Sequence, residues 1–191
     1  MSPAVSPSAV TTTVYLGLGS NLGRRRDHLR QGVRALVAGG MEPGRLSSVV
    51  ETPPLGYEDQ PAFLNLVMEG RWREGPGPLL ELMMDVEARE GRSRSFPNAP
   101  RTLDVDLLFF GRRIIRAPGL RVPHPRWRVR SFVARPLAEI APDLVDPETG
   151  WRVEEVARAW PMEPEDVRLR HDEWFDEWFE ELFEEFSEEG R

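Results

Sequence analysis

Short apolar segments of two kinds alternate along the first 110 residues. Four of them have the clustered or alternating apolar residues of strands: 14–18, 45–52, 63–72 and 103–110. Two have apolar residues at helical spacing: 27–37 and 78–91. The order strand, helix, strand, strand, helix, strand predicts an α+β fold, a ferredoxin-like sandwich in which helices pack on an antiparallel sheet. Later segments predict edge strands at 114–115 and 120–122 and a short helix over 131–140.

The end of the chain differs from the rest in charge. Residues 163–191 hold 13 of the 32 acidic residues and 3 of the 25 basic ones, so a body of net +3 precedes a tail of net -10. If the tail is helical from Asp172, Trp174, Trp178, Leu182 and Phe186 share one stripe. An apolar stripe of this size needs cover, which leaves docking on the body or a homodimer through the C-terminal helix open.

We therefore divide the chain into three parts. They are a flexible leader over 1–12, one globular domain over 13–160, and an acidic amphipathic helical tail over 161–191. No segment approaches the roughly 18 apolar residues of a membrane span, and the N-terminus lacks the features of a secretory signal. We expect a cytoplasmic protein with no membrane partner.

The composition excludes several kinds of chemistry. The 191 residues include no cysteine, and all 25 basic residues are arginine. Disulfides, thiol nucleophiles, Schiff bases and phosphate-loop lysines are therefore excluded. An anionic ligand has to be bound by arginine, by backbone N–H groups or by a metal.

Asp104 and Asp106 are the most informative pair in the sequence. Because they are two residues apart on a predicted strand, their side chains point to one face while Leu103, Val105 and Leu107 face the core. Such carboxylates repel each other unless a cation lies between them, and Mg²⁺ prefers oxygen ligands together with substrate phosphates. The pair fits a site for one or two Mg²⁺ ions that carry a nucleotide; solvated acids on an exposed edge strand are the alternative.

Cationic side chains lie on both sides of this pair in the sequence. Arg92, Arg94 and Arg101 precede it, and His124 and Arg130 follow it. Guanidinium groups bind phosphate oxygens bidentately, so the combination is typical of a phosphoryl-transfer site. Surface salt bridges between these arginines and the aspartates would use the same residues.

The third predicted strand presents Phe63 and Asn65 on one face, after a proline-rich segment at 53–56. A phenyl ring stacks on a heteroaromatic ring, and a carboxamide donates and accepts at its edge, which is what a pterin or purine needs. Phe63 as a core residue is the alternative.

A glycine-rich string, GLGSNLG, occupies residues 17–23. It lacks the third glycine of a dinucleotide-binding loop, because Leu22 stands there, and the missing lysine excludes a Walker A loop. We interpret Gly17 and Gly19 as a tight turn and expect Ser20 or Asn21 to cap the first helix.

Together these motifs resemble one family, the 6-hydroxymethyl-7,8-dihydropterin pyrophosphokinases of the folate pathway. The resemblance extends from residue 14 to about 160, and PRTLDVDLL with VPHPR is highly specific. The matching strings are GLGSNLG (17–23), ETPPLG (51–56), QPAFLN (60–65), GRSR (91–94), PRTLDVDLL (100–108), VPHPR (122–126) and RSFVARPLAEIAPDL (130–144).

The resemblance implies Mg²⁺-dependent transfer of pyrophosphate from ATP to the pterin hydroxymethyl group, giving AMP. By motif position, Asp104 and Asp106 would hold two Mg²⁺ ions and act with Arg92 and Arg101 in catalysis. The residues implied to contact ATP are Glu87, Arg92, Arg94, Arg101, Leu107, His124 and Arg130. Those implied to contact the pterin are Thr52, Pro53, Leu55, Phe63, Asn65 and Phe132.

Two positions depart from the common family pattern. Residues 96–99 read Phe-Pro-Asn-Ala where an Arg-Trp-Gly sequence is usual, and Pro125 stands where tyrosine is common. Neither change touches the acid pair. The competing hypothesis is a non-catalytic ferredoxin-like module that binds nucleotide or RNA. The acid pair would repel phosphate without a metal, and the aromatic-rich pattern of an RNA-recognition sheet is missing, so we expect no nucleic-acid partner.

Overall fold

The computed structural model of the protein describes residues 11–54, 59–91, 99–159 and 168–170. The first ten residues of the expected leader and the helix expected from Asp172 lie outside the described residues. Among the described residues, no helix has the length and apolar composition that crossing a bilayer requires.

Antiparallel strands form one main sheet and one small sheet. The strands are β1 (Thr12–Ser20), β2 (Glu42–Leu46), β3 (Val49–Thr52), β4 (Phe63–Trp72), β5 (Asp104–Phe110), β6 (Ile115–Ala117), β7 (Leu120–Val122) and β8 (Arg168–Arg170). In the main sheet β5 pairs with β1, β1 with β4, and β4 with both β2 and β3. This order is the one expected of a split βαβ sandwich, so the predicted fold class is confirmed.

In the described part of the chain, four α-helices cover the two faces of the main sheet. They are α1 (Arg25–Ala38), α2 (Pro76–Arg89), α3 (Ser131–Ile140) and α4 (Val153–Ala159). Helices α1 and α2 contact β1 and β5 on one face, and α3 packs on β4 and on α4. The helices predicted over 27–37, 78–91 and 131–140 are thus α1, α2 and α3.

Alternation along the central strands divides the apolar residues between two cores. Leu16 and Leu66 belong to the core under α1 and α2, whereas Tyr15 and Val67 belong to the core under α3 and α4. Because side chains alternate across a strand, one sheet fills both cores. The prediction that Leu103, Val105 and Leu107 face a core is confirmed, since all three lie in the first one.

The single strand predicted over 45–52 is wrong, because the chain forms β2 and β3 with Ser47 and Ser48 between them. The backbone N–H of Val67 donates to Ser47 Oγ (2.8 Å), so a hydroxyl takes the place of a ladder carbonyl. The N–H and hydroxyl of Ser48 donate to the Glu139 carboxylate on α3 (3.0 and 2.7 Å). These side-chain bonds satisfy the backbone where the strand is interrupted.

The predicted edge strands at 114–115 and 120–122 pair with each other as β6 and β7, not with the main sheet. Their register joins Ile115 to Val122 and Ala117 to Leu120. The prediction was wrong about the partner because the connection between the two segments is short enough to close a local hairpin.

Beyond α4, the chain returns to the main sheet. The backbone of β8 pairs antiparallel with β3, joining Arg168 to Glu51 and Arg170 to Val49. Strand β3 thus lies between β4 and β8, and its outer edge is covered by residues of the segment expected to be tail.

Candidate active site

Two cavities meet at the outer strand β5. The first, which we call the aromatic cavity, has a volume of about 300 Å³ and contains Phe63 and Phe132 in its wall. The second, which we call the α2 cavity, has a volume of about 420 Å³ and is lined by residues of α2 and β7. Asp104 and Asp106 line both cavities. The acid pair therefore stands at the boundary between two ligand-sized spaces.

Each aspartate of the pair faces an arginine. Arg130 Nη1 donates to Asp106 Oδ2 (3.1 Å), and Arg101 Nε lies 3.2 Å from Asp104 Oδ2 as an ion pair without hydrogen-bond geometry. The carboxylates are partly exposed, with 19% of the Asp104 side chain and 35% of the Asp106 side chain accessible to solvent. They are thus compensated in charge and still reachable by a ligand.

The same two arginines stand over the aromatic rings of the first cavity. The guanidinium carbon of Arg101 is 5.2 Å from the centre of the Phe63 ring, and that of Arg130 is 5.8 Å from the Phe132 ring. These distances are within the range of cation–π attraction. Two sets of side chains therefore connect the acid pair to the aromatic cavity. One is Asp104, Arg101 and Phe63, and the other is Asp106, Arg130 and Phe132.

The polar end of the aromatic cavity is fixed by Asn65 and Thr52. The buried Asn65 carboxamide donates from Nδ2 to Thr52 Oγ1 (3.0 Å). This bond fixes the orientation of the carboxamide and leaves its oxygen and second N–H for other partners. Gly19 lies beside it, since a Cβ at that position would be 2.9 Å from Asn65 Oδ1.

Burial favours the neutral form of the His124 imidazole beside Asp106. Burial lowers the pKa of His124 from its ordinary value of 6.5, and the charges of Arg130 and Arg126 lower it further against the opposing effect of Asp106. The Arg126 backbone N–H donates to His124 Nδ1 (3.2 Å), so the proton of the neutral ring is on Nε2. That nitrogen lies 3.8 Å from Asp106 Oδ2, where it can donate to an anionic ligand.

Glu87 supports the strand that carries the acid pair. Its buried carboxylate accepts a hydrogen bond from the backbone N–H of Val105 (2.8 Å), the residue between the two aspartates. Strand β5 is the edge of the sheet, so this N–H points away from β1 and needs a partner from another element. Glu87 lines the α2 cavity together with Leu107.

Asn21 connects three segments around the aromatic cavity. Its Nδ2 donates to Gln60 Oε1 (2.9 Å) and to the Pro61 carbonyl (3.1 Å), and its Oδ1 accepts from the Arg101 N–H (2.8 Å). The expectation that Ser20 or Asn21 caps the first helix is wrong, because α1 begins at Arg25 without a side-chain cap. Gly17 and Gly19 likewise lie within β1 and not in a turn.

Comparison with known proteins assigns this arrangement to a family. The model of the 7,8-dihydro-6-hydroxymethylpterin-pyrophosphokinase (HPPK) family matches residues 15–142. The chain belongs to this family. A pyrophosphokinase of Bacillus subtilis, 2-amino-4-hydroxy-6-hydroxymethyldihydropteridine pyrophosphokinase, is 42% identical over 148 residues, which are 76% of this chain and 89% of the relative. A Pseudomonas aeruginosa pyrophosphokinase of the same name is 38% identical over 78% of this chain and 93% of its own length.

Solved structures support the fold of this HPPK. The HPPK-DHPS protein of Plasmodium falciparum superimposes with a TM-score of 0.63 at 13% identity, over 81% of this chain and 45% of that one. A folate synthesis bifunctional protein of Arabidopsis thaliana is 37% identical over 76% of this chain and 28% of its own length. This chain thus spans less than half of these larger relatives.

The HPPK structure brings most of the expected site residues to the two cavities. Thr52, Pro53, Phe63, Asn65 and Phe132 line the aromatic cavity, together with Arg101 and Arg130. Glu87, Leu107 and His124 line the α2 cavity. Leu55, Arg92 and Arg94 lie outside the described residues. The roles implied for all of these residues stay predictions.

The structure also adds residues that the sequence arguments did not assign to the site. Gln60 and Arg126 line the aromatic cavity, and Leu80, Met84 and Arg121 line the α2 cavity. Arg126 belongs to the VPHPR string, so its position was a signal that went unused. Gln60 likewise belongs to the QPAFLN string. For Leu80, Met84 and Arg121 we find no local signal, since they reach the α2 cavity through tertiary packing.

Replacing Gly19 by alanine is expected to raise the KM for the pterin about tenfold, because the new methyl group displaces the Asn65 carboxamide from its bond to Thr52. Gly17→Ala is the control for a methyl group added to the same wall of the cavity without contact with Asn65, since its Cβ would meet Leu108 at an ordinary 3.5 Å. Steady-state kinetics with the pterin varied at saturating ATP measures the effect. Equal KM values for the two variants would contradict this account of Asn65.

Proposed function

We propose that this HPPK transfers a pyrophosphoryl group from ATP to the hydroxymethyl oxygen of 6-hydroxymethyl-7,8-dihydropterin, giving AMP, as a step of folate biosynthesis. The observation that carries the proposal is the position of Asp104 and Asp106 in the wall shared by two cavities. A group transfer between two ligands needs their reacting atoms side by side, and the acid pair marks that place.

The aromatic cavity has the chemistry of a pterin site. Phe63 and Phe132 supply ring faces for stacking, and Asn65 and Thr52 supply a fixed polar edge for the ring nitrogens and carbonyl. Pro53 closes the wall at the end of β3. Leu55 would extend this wall, as the family resemblance implies.

The α2 cavity suits the nucleoside of ATP. Leu80, Met83, Met84 and Leu107 make an apolar lining, and Glu87 and His124 add polar groups. Flexible methionine side chains adapt to a planar base. The triphosphate would then extend from this cavity toward the acid pair.

The acid pair fits Mg²⁺ in the number and kind of its ligands. In the described part of the chain, no group of three or more histidine or acidic side chains could hold a metal by itself. Two carboxylates are what Mg²⁺ takes when the other ligands are waters and substrate phosphates. Asp104 and Asp106 would hold two Mg²⁺ ions, whose chemistry is to neutralise and orient the phosphate chain.

The residues of the chain position the reactants rather than react themselves. Arg101 and Arg130 can exchange their aspartate partners for phosphate oxygens, and His124 Nε2 can donate to the same chain. The hydroxymethyl oxygen attacks the β-phosphorus. The bond between the β-phosphorus and the oxygen that bridges it to the α-phosphate breaks, so AMP leaves with that oxygen, and the hydroxyl proton passes to solvent. The resemblance adds Arg92 and Arg94 to this set, and no side-chain nucleophile is needed.

The association and location expected from the sequence stay predictions. The homodimer through the C-terminal helix depends on residues 171–191, which lie outside the described residues. The cytoplasmic location depends on the composition of the N-terminus, of which residues 1–10 are also outside.

Nucleotide analysis of the reaction mixture tests the proposed function. We expect AMP to form from ATP only when the hydroxymethyl pterin and Mg²⁺ are both present. Pterin-dependent ADP would indicate an ordinary kinase instead. RNA binding without Mg²⁺ and without AMP formation would favour the non-catalytic module.

A further inference from the structure

Among the described residues, three arginines line the aromatic cavity, and they differ in their partners. Arg101 and Arg130 face Asp104 and Asp106. Arg126 also lines the cavity, but among the described residues no carboxylate lies within ion-pair distance of its guanidinium. Within the described part of the chain, Arg126 therefore adds a positive charge to the cavity that no carboxylate pairs with.

The backbone of Arg126 is held in place although its side chain is exposed. Its N–H donates to His124 Nδ1 (3.2 Å), and its carbonyl accepts from the Val129 N–H (3.2 Å) across a short 3-10 turn. The next residue, Trp127, is fully buried against Phe109. Because the neighbouring residue is anchored in the core, the backbone of Arg126 is fixed beside the aromatic cavity, which its side chain lines.

The charge of Arg126 acts on the groups beside the acid pair. Burial is the largest cause of the lowered pKa of His124 and of Arg130, and the charge of Arg126 contributes to both. Both effects place the charge of Arg126 close to His124 and Arg130, the two residues that face Asp106.

The substrate pterin and the product pterin differ in charge at the hydroxymethyl position. This step rests on the proposed function. The aromatic cavity first binds a neutral hydroxymethyl pterin, and after the transfer it holds the same ring with a diphosphate attached. When AMP and metal have left, Arg101 and Arg130 can return to their aspartates, whereas Arg126 has no carboxylate to return to among the described residues. A free guanidinium can bind two phosphate oxygens at once.

We propose that Arg126 is a specificity-determining residue that binds the diphosphate of the pterin product and contributes nothing to binding of the hydroxymethyl substrate. The residue thereby sets how tightly the product is retained after transfer. It acts on the anionic group, while Phe63, Phe132 and Asn65 bind the ring that both pterins share.

Equilibrium binding of 6-hydroxymethylpterin and of its diphosphate to Arg126→Ala tests the proposal, without nucleotide or metal. We expect the diphosphate to bind about tenfold more weakly than to the wild type, as the loss of charge-assisted hydrogen bonds predicts. The affinity for 6-hydroxymethylpterin should stay within about twofold. Arg126→Lys should recover part of the diphosphate affinity, because it keeps the charge and loses the planar fork.

Arg112→Ala is the matched control, since it removes one exposed arginine from the turn after β5, away from both cavities. It should leave both affinities unchanged. Equal weakening of both pterins by Arg126→Ala, or unchanged diphosphate binding, would overturn the proposal. AMP formation by the wild type reports separately on the proposed function, because the ratio of the two binding affinities needs no turnover.

Discussion

Asp106→Asn is expected to lower the rate of AMP formation at least about 1000-fold, which corresponds to about 4 kcal/mol of transition-state stabilisation. The substitution keeps the shape of the side chain and removes the charge that faces both cavities. Asp104→Asn should have an effect of the same order, because the two carboxylates lie side by side on β5. Initial rates at saturating ATP, pterin and Mg²⁺ measure the loss.

The fold of these variants should be retained, since both aspartates are partly exposed and neither is part of a core. Asp143→Asn is the control, because Asp143 pairs with Arg152 at the surface and 82% of its side chain is accessible. It should keep the wild-type rate. A rate for Asp106→Asn within tenfold of the wild type would contradict the placement of the reaction at the acid pair.

Asn21→Ala is expected to lower the free energy of unfolding by about 3 kcal/mol, because it removes three hydrogen bonds and leaves their partners unsatisfied. The Arg101 N–H loses its acceptor, so the segment that leads into β5 keeps only the backbone bond from the Asn21 N–H to the Arg101 carbonyl (3.1 Å) at this point. Urea unfolding followed by tryptophan fluorescence measures the change.

Gln60→Ala is the comparison that distinguishes the loss of all three hydrogen bonds of the Asn21 side chain from the loss of one of them. It removes one of the three bonds and should cost about 1 kcal/mol. If Asn21→Ala were no more destabilising than Gln60→Ala, the connection of three segments through Asn21 would be refuted. A higher KM for the pterin in Asn21→Ala would accompany the loss of stability, because Gln60 and Arg101 both line the aromatic cavity.

The main elements could be predicted because apolar periodicity is a local property of the sequence. The strand predicted over 63–72 is β4 with the same bounds, and the helix predicted over 131–140 is α3 although Pro136 lies inside it. The interruption between β2 and β3 could not be predicted, since it depends on Val67 and Glu139, which are distant in the sequence.

The arginines after His124 show that the roles of site residues, too, depend on contacts that the local sequence does not reveal. Arg126, Arg128 and Arg130 alternate in the sequence, which on a strand would place all three on one face. Arg126 and Arg130 instead flank a 3-10 turn and line the aromatic cavity. Arg128 lies inside that turn and pairs with Glu148 (2.8 Å). Only the tertiary structure separates a stabilising ion pair from a ligand-facing charge here.

The two aspartates could be predicted to act as a pair, because residues two apart on a strand place their side chains on the same face at a known spacing. The position of the pair between two cavities could not be predicted, since the cavities are built from β1, β4, α2, β7 and the start of α3. The family resemblance supplied the identity of several lining residues before the geometry was known. It left Gln60, Leu80 and Arg121 unassigned.

The pairing of β8 with β3 has a practical consequence for protein engineering. A fragment limited to the family-matching region, 15–142, would omit α4 and β8 and leave the outer backbone edge of β3 unpaired. An unpaired edge is a template for strand addition by a second molecule, and with it for aggregation. Because β3 ends at Thr52 in the aromatic cavity, we expect a fragment that extends through Arg170 to keep this edge of the site paired.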